Sequence, residues 1–277
     1  PVNTVMATTV STTRLVMSLL AGGGAAPHEG VYRPVEIVTR PGSMFHPESP
    51  SPCFIYMLAA FHTVDVICRA LFEAVPEGVP ACCGGDTSAL VWWGRHPVSG
   101  EPWGDGPPHP SGQGAHAAGD GANVMQHALS GNMRCPPAEV YETKTSLLVT
   151  KEELAVDSGG AGQFRGGLGM DKLFESVDDS TFVSTLVERT QNGPWGLAGG
   201  GEGRGNSCLL HHPDGTTAEY GKHTAVHVPK GAVIALHTGG GGGFGDPADR
   251  DPEAVALDLK KEYITEAEAR KHYPHAF

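Results

Sequence analysis

Two stretches of the 277-residue chain carry side chains whose types and spacing could do chemistry. In His28-Glu29-Gly30 followed by Arg33-Pro34, the Arg33 guanidinium could clamp a carboxylate or a phosphate, while a surface ion pair is the plainer reading of the same residues. In His116-Ala117-Ala118-Gly119-Asp120-Gly121, a histidine and an aspartate four residues apart could ligate a metal or orient a general base. Outside a helix that spacing is a weak signal, and this stretch reads as a loop. His127, Asn132 and Glu139 follow within reach along the chain, so the alternatives here are a polar pocket and an ordinary hydrogen-bonded loop. Glu29, Arg33, His116 and Asp120 are the candidate catalytic residues, as groups lining such a pocket.

Glycine clusters form the second class of motif. The run 239–243, continued by Phe244-Gly245-Asp246-Pro247, offers bare backbone N–H groups that could cradle an anion. The Lys-Ser/Thr of a phosphate loop is missing and Asp246 would repel phosphate, so close packing where any Cβ would clash is the expectation. Asp157-Ser158-Gly159-Gly160-Ala161-Gly162 and Gly166-Gly167-Leu168-Gly169 flank Gln163-Phe164-Arg165, and read as tightly approached backbone with Arg165 and Asp157 as a local ion pair. Trp195, within Gly193-Pro194-Trp195-Gly196-Leu197-Ala198-Gly199-Gly200, reads as a core plug rather than a cofactor platform. No cysteine has an evident base beside it, and no GxSxG, HExxH or post-strand GxGxxG signature is present.

The elements that must position these groups follow from periodicity. Leu15, Val16, Leu19 and Leu20 predict a helix over 8–20, stopped by Gly22-Gly23-Gly24. The β-branched stretch 32–39 predicts a strand ending at Pro41-Gly42. Val64, Ile67, Cys68, Leu71, Phe72 and Val75 recur at three and four and predict a long helix over 58–75, closed by Pro76. Residues 94–138 are rich in proline and glycine without periodicity, the pattern of a long functional or interface loop. Strands are expected over 140–149, 181–188, 207–211, 222–228 and 232–237, with Pro213-Asp214-Gly215 and Pro229-Lys230-Gly231 as turns between antiparallel neighbours. Asp251 before Pro252, and Thr265 with Glu268 three residues on, cap two short helices. The fold class is α+β: a mixed N-terminal part with one long buried helix (1–138), a β-rich sandwich or barrel-like sheet (139–250) and a helical tail (251–277).

With 39 glycines and 22 prolines the chain is loop-rich, yet 39% hydrophobic residues support a packed core. A net charge of −12, from 31 acidic against 19 basic residues, argues against nucleic acid as a partner. The six cysteines show no CxxC, so reduced thiols are expected. No apolar run is long enough to span a bilayer and no signal peptide opens the sequence, which predicts a cytoplasmic protein without a membrane partner. The opening Pro1-Val2-Asn3-Thr4 lacks an initiator methionine and predicts a piece of a longer protein.

Taken in order, these motifs resemble the hydantoinase B/oxoprolinase family. The likeness rests on Pro1-Val2-Asn3, His28-Glu29-Gly30-Val31-Tyr32-Arg33-Pro34, Pro41-Gly42-Ser43, Glu139-Val140-Tyr141-Glu142 and the Asp157 to Gly162 and Arg165 to Gly169 motifs. Pro194-Trp195-Gly196-Leu197-Ala198-Gly199-Gly200 and the run ending Gly245-Asp246-Pro247 complete it, covering the C-terminal half of that family's B-type subunit. The resemblance implies an ATP-dependent enzyme complex that hydrolyses a cyclic amide after phosphorylation of the substrate. It implies as partners a hydantoinase A-type ATPase subunit holding ATP and Mg, and the N-terminal half of the B-type subunit holding a divalent metal such as Zn or Mn. The family also includes acetone and acetophenone carboxylases, and a scaffold half with every catalytic group elsewhere is a further alternative. Where many hydantoinase-type members read His-Thr-His-Met-Thr-Asn-Thr-Arg, this chain reads Gly114-Ala115-His116-Ala117-Ala118-Gly119-Asp120-Gly121 and Ser130-Gly131-Asn132-Met133-Arg134, which is similar to the acetophenone-carboxylase branch.

Overall fold

The computed structural model describes residues 3–21, 28–53, 55–85, 88–130 and 135–277. The opening Pro1-Val2, the glycine stop at 22–24 and the stretch 131–134 with Asn132 lie outside the described residues.

Helix α1 (Met6–Leu20) packs on α3 (Met57–Leu71), with a short α2 (Glu29–Tyr32) beside them. The face of α3 formed by Leu58, Phe61, Val64 and Cys68 is buried, as its three-and-four spacing requires, and Asp65 is buried on the same face. An acid on an apolar helix face needs a partner, and this one positions the site described below.

Among the described residues, nine antiparallel strands form two sheets that share one core and do not close into a barrel. The first has the order β2 (Pro102–Asp105), β1 (Ala89–Arg95), β5 (Phe182–Leu186), β8 (Lys222–His227). The second runs β3 (Leu147–Leu154), β4 (Met170–Ser176), β9 (Val233–His237), β6 (Ser207–His211), β7 (Thr217–Glu219). Alternate residues point into the shared core, where Leu90, Trp92, Phe174, Val183, Leu210, Ile234 and Leu236 meet. Because β1 and β2 precede residue 138, strands from both sides of that position share a sheet.

The helix expected over 58–75 ends at Leu71, short of Pro76, and the structure departs from the sequence expectation elsewhere too. The stretch 32–39 forms no strand: Tyr32 ends α2, Pro34 lacks a donor, and among the described residues no strand pairs with 33–39, leaving Val38 exposed. The stretch 140–149 is divided, because Pro136 and Pro137 start a helix, α4 (Ala138–Glu142), before β3 begins. β1, β2, β4 and β7 were not expected. Finally, the Pro213-Asp214-Gly215 turn closes the β6–β7 hairpin, but Pro229-Lys230-Gly231 carries the chain from β8 in one sheet to β9 in the other. That change of sheet keeps Val228 and Ile234 in the common core.

The tail follows the expected caps. Asp251 accepts from the Glu253 amide at 2.8 Å at the start of α5 (Pro252–Lys260), and Thr265 accepts from Glu268 at 3.3 Å at the start of α6 (Glu266–His272).

Between helices and sheets the glycine clusters interleave. Residues 239–245 are neither helix nor β-strand, yet their amides are all spent. Gly240 donates to the Arg204 carbonyl (3.0 Å), Gly241 to Gly167 (2.8 Å) and Gly242 to Cys82 (2.8 Å). The cycle then repeats, with Gly243 donating to Gly201 and Phe244 to Phe164, both at 2.9 Å. Successive donors thus turn to three different neighbours, the three-residue period of an extended helix with no internal hydrogen bonds. A strand would alternate between two sides. The expected close packing is realised: a Cβ on Gly241 would fall on the Gln113 carbonyl, and one on Gly166 on the Gly241 carbonyl.

Two outcomes follow. Gly241→Ala should cost more than 4 kcal/mol or prevent folding, whereas Gly104→Ala, whose Cβ would meet only the Trp92 carbonyl at 3.6 Å, should change urea-unfolding stability by about 1 kcal/mol or less. His109 is fully buried against Phe174, and burial, reinforced by the Lys172 cation, lowers its pKa to about 3. The unfolded chain therefore takes up that proton first, and stability is complete above the ordinary histidine pKa and falls as pH drops from there towards 3. Urea titrations from pH 7 to 5 should show wild type losing up to about 1.4 kcal/mol per pH unit more than His109→Asn.

Candidate functional site

The four residues singled out in the sequence lie in different settings. Glu29 starts α2 and pairs with Arg14 at 3.2 Å on an exposed surface; Arg33 follows the same helix and is exposed. His116 is exposed in a tight turn, its Nδ1 accepting from the Ala118 amide at 3.2 Å. Asp120 is bound into a network of arginines. It accepts from the Arg165 amide at 2.7 Å and from both Nη atoms of Arg250 at 2.8 Å. Burial acts to raise the Asp120 pKa, but the Arg250 hydrogen bonds and charge outweigh it and hold the carboxyl below its ordinary value.

Arg250 also contacts Asp258 of α5 at 2.7 Å, and Asp258 in turn receives Arg165 at 3.1 Å. Arg165 thus pairs with Asp258 rather than with Asp157, whose carboxylate instead accepts from the Thr265 amide at 2.7 Å. The network staples the tail to the glycine segments, an arrangement that only residues far apart in sequence can make. Trp195 is half-buried, with the guanidinium groups of Arg69 and Arg189 over its ring at 4.9 and 5.0 Å.

Among the described residues, a buried cluster of ligand-type side chains lies elsewhere. Asp65 of α3, Cys83 and His127 are all buried, and their ligand-capable atoms lie within 4.8 Å of one another. Arg189, just past β5, closes the group: its Nη2 is 2.8 Å from Asp65 Oδ2, with both side chains only 7% exposed. The Cys83 thiol donates to the same oxygen at 3.2 Å, and the Cys83 amide reaches Oδ1 at 3.4 Å. Burial, then the Asp65 carboxylate, push the Cys83 thiol well above its ordinary range, and burial lowers His127. At neutral pH the cluster therefore holds a protonated thiol and a neutral imidazole beside a carboxylate–guanidinium pair. A thiol held protonated is a poor nucleophile, but thiol, imidazole and carboxylate together are the donor set of a zinc-type ion.

His62, one turn before Asp65 on α3, connects this centre to a cleft of about 450 Å³ lined by Met44, Phe45, Leu58, Val66, Glu188 and Lys222. Glu188 accepts from Lys222 at 2.8 Å and stands 3.8 Å from His62 Nε2. Burial, followed by the Arg189 charge, lowers the His62 pKa.

Sequence reasoning noted His127 only as a neighbour of the candidate loop, and it passed over Asp65, Cys83 and Arg189. A readable signal existed for Asp65, an acid between Val64 and Cys68 on the apolar stripe of the clearest helix. Nothing in the sequence marks Cys83 or Arg189, whose contacts with Asp65 span 18 and 124 residues.

The chain belongs to the hydantoinase B/oxoprolinase family, which matches residues 1–247 and confirms the resemblance read from the ordered motifs. Among its relatives, an uncharacterized protein of Methanocaldococcus jannaschii is 28% identical over 99% of this chain and 47% of its own length. Caprolactamase subunit beta of Pseudomonas jessenii is 27% identical over 89% of this chain and 44% of its own. The crystal structure of ATP-dependent caprolactamase from Pseudomonas jessenii matches with a TM-score of 0.85 at 25% identity, over 98% of this chain and 48% of that one. A nucleotide-free acetone carboxylase structure matches with a TM-score of 0.79 at 21% identity, over 98% and 41%, a likeness of fold. The chain spans about half the length or less of each.

The buried pair gives a direct outcome. Arg189→Leu leaves the Asp65 carboxylate buried without its cation and should cost about 3–5 kcal/mol in urea unfolding, and adding Asp65→Asn should restore a substantial part.

Proposed function

We propose that this chain is the C-terminal part of a B-type subunit in an ATP-dependent complex that opens a cyclic amide. The observation that carries this reading is the family match along 1–247, supported by the likeness to caprolactamase in both sequence and structure. On this reading a hydantoinase A-type ATPase subunit, working with Mg, transfers phosphate to the amide oxygen. Water then attacks the activated carbon, the C–N bond breaks with the nitrogen leaving protonated, and a second water cleaves the resulting acyl phosphate to the carboxylate and inorganic phosphate. The N-terminal half of the B-type subunit supplies a divalent ion such as Zn or Mn, and the assembly works in the cytoplasm. No helix among the described residues is long and apolar enough to cross a membrane.

This chain's glycine run does not fit ATP. The amides of residues 240–245 are all bonded to carbonyls, so none is free to hold a phosphate. Glu29, Arg33 and His116 are exposed and free to meet a substrate or the rest of the subunit, and we assign them to the substrate pocket of the assembled enzyme. Asp120, tied to Arg250 and Arg165, would shape that pocket by holding the 116–121 turn.

The test is a turnover screen of the whole complex with ATP, offering cyclic amides in one series and ketones with bicarbonate in another. ADP release with cyclic amides alone is expected. Release with ketones and bicarbonate alone would establish the carboxylase alternative, and release with neither would overturn both. In the active complex, alanine at Glu29, Arg33 or His116 should lower kcat/KM by about tenfold or more, equivalent to about 1.4 kcal/mol or more of transition-state stabilisation. Unchanged turnover in all three would leave this half as scaffold.

A further inference from the structure

We propose that Asp65, Cys83 and His127 form a binding site for a single zinc-class divalent ion, taken up within this chain and independent of the amide-hydrolase reading.

Three independent segments bring the ligands together. Asp65 comes from the buried face of α3, Cys83 from the segment that follows it, and His127 from the end of the long loop. Their donor atoms lie within 4.8 Å of one another, so small side-chain movements bring them to the separations of a tetrahedral ion, whose ligand bonds are about 2.0–2.3 Å. The donors are one sulfur, one nitrogen and one oxygen, a set that favours zinc over magnesium or calcium, which take oxygen. Three protein ligands leave the fourth position to water, the composition of a catalytic rather than a closed structural zinc site.

The surroundings are compatible with such an ion. Arg189 holds Asp65 Oδ2 at 2.8 Å, which orients the carboxylate, and the Cys83 amide approaches Oδ1 at 3.4 Å. A guanidinium on a ligating carboxylate is an ordinary outer-sphere partner. The imidazole of His127 is packed against Phe61 with ring centroids 4.9 Å apart and is buried, so it is available as a neutral ligand. Its Nδ1 accepts from the Leu129 amide at 3.1 Å; ligation through Nε2 shifts the ring proton to Nδ1 and gives up that contact. Cys83 enters as the thiol and binds as the thiolate. The S–H bond breaks, a sulfur–metal bond forms and the proton leaves to solvent, so affinity rises with pH.

The experiment is cobalt titration of the intact chelator-treated protein, followed by absorption. Co²⁺ bound by a thiolate gives a near-ultraviolet charge-transfer band that oxygen and nitrogen ligands do not, which separates this site from any metal elsewhere in the subunit. The expected result is a band that saturates at one thiolate-bound ion per chain, is displaced by Zn²⁺, is lost in Cys83→Ser and is retained in Cys68→Ser. Asp65→Asn and His127→Gln, read alongside circular dichroism, should weaken cobalt binding while the fold persists. Absence of the band in wild type, or a band that survives in Cys83→Ser, would overturn the proposal.

Discussion

The hydrogen bonding of residues 239–245 ties together the segments that meet between the helices and the sheets. The amides of 240 to 244 turn to three neighbouring segments in a repeating order and Gly245 donates to Leu197, so this one stretch is tied at once to segments near 82, 164–167 and 197–204. Buried backbone groups must be paired, and an extended chain with no internal hydrogen bonds can only be paired by its surroundings. Glycine is what allows the neighbours to come that close, because carbonyls occupy the places where side chains would stand.

That constraint reaches the polar centre through covalent continuity. The Cys82 carbonyl accepts from Gly242 and the Cys82 amide donates to Trp195, at 2.8 and 3.0 Å, so Cys83 is fixed by a peptide already bound on both sides. The loop leading to His127 is held likewise, with the Ala115 amide on Gly242 at 2.9 Å and the Met125 amide on Ser111 at 3.0 Å. Asp65 arrives from the other direction, on a helix packed through Val64 and Cys68 against the same cluster as Phe244 and Leu197. The glycine bundle is therefore a scaffold in the physical sense: it turns segments distant in sequence into neighbours a few ångströms apart.

What the sequence discloses follows from the range of the forces involved. Helix α3, the Asp251 and Thr265 caps and the Pro213-Asp214-Gly215 hairpin are set by residues within one or two turns, and they were legible. The close approach at 239–243 was legible too, because Asp246 and the missing lysine removed the phosphate alternative. Strands β1 and β4 were not, since Trp92 and Phe174 are buried against each other across more than 80 residues of sequence, with ring centroids 5.3 Å apart. The strand expected over 32–39 had the right residues but no partner to complete its hydrogen bonds. The candidate site shows the same division. His116 and Asp120 drew notice by their spacing, whereas the Asp65–Arg189 pair becomes visible only in three dimensions.

The amides of residues 239–245 are all bonded, which makes the glycine run a fixed part of the backbone rather than a mobile loop. Native-state amide hydrogen exchange tests it directly. The amides of Gly240 to Phe244 should exchange only through global unfolding, with protection matching the unfolding free energy and equal to that of β4 and β9. Exchange of these glycines at the rate of exposed loops, while the sheets remain protected, would contradict the account.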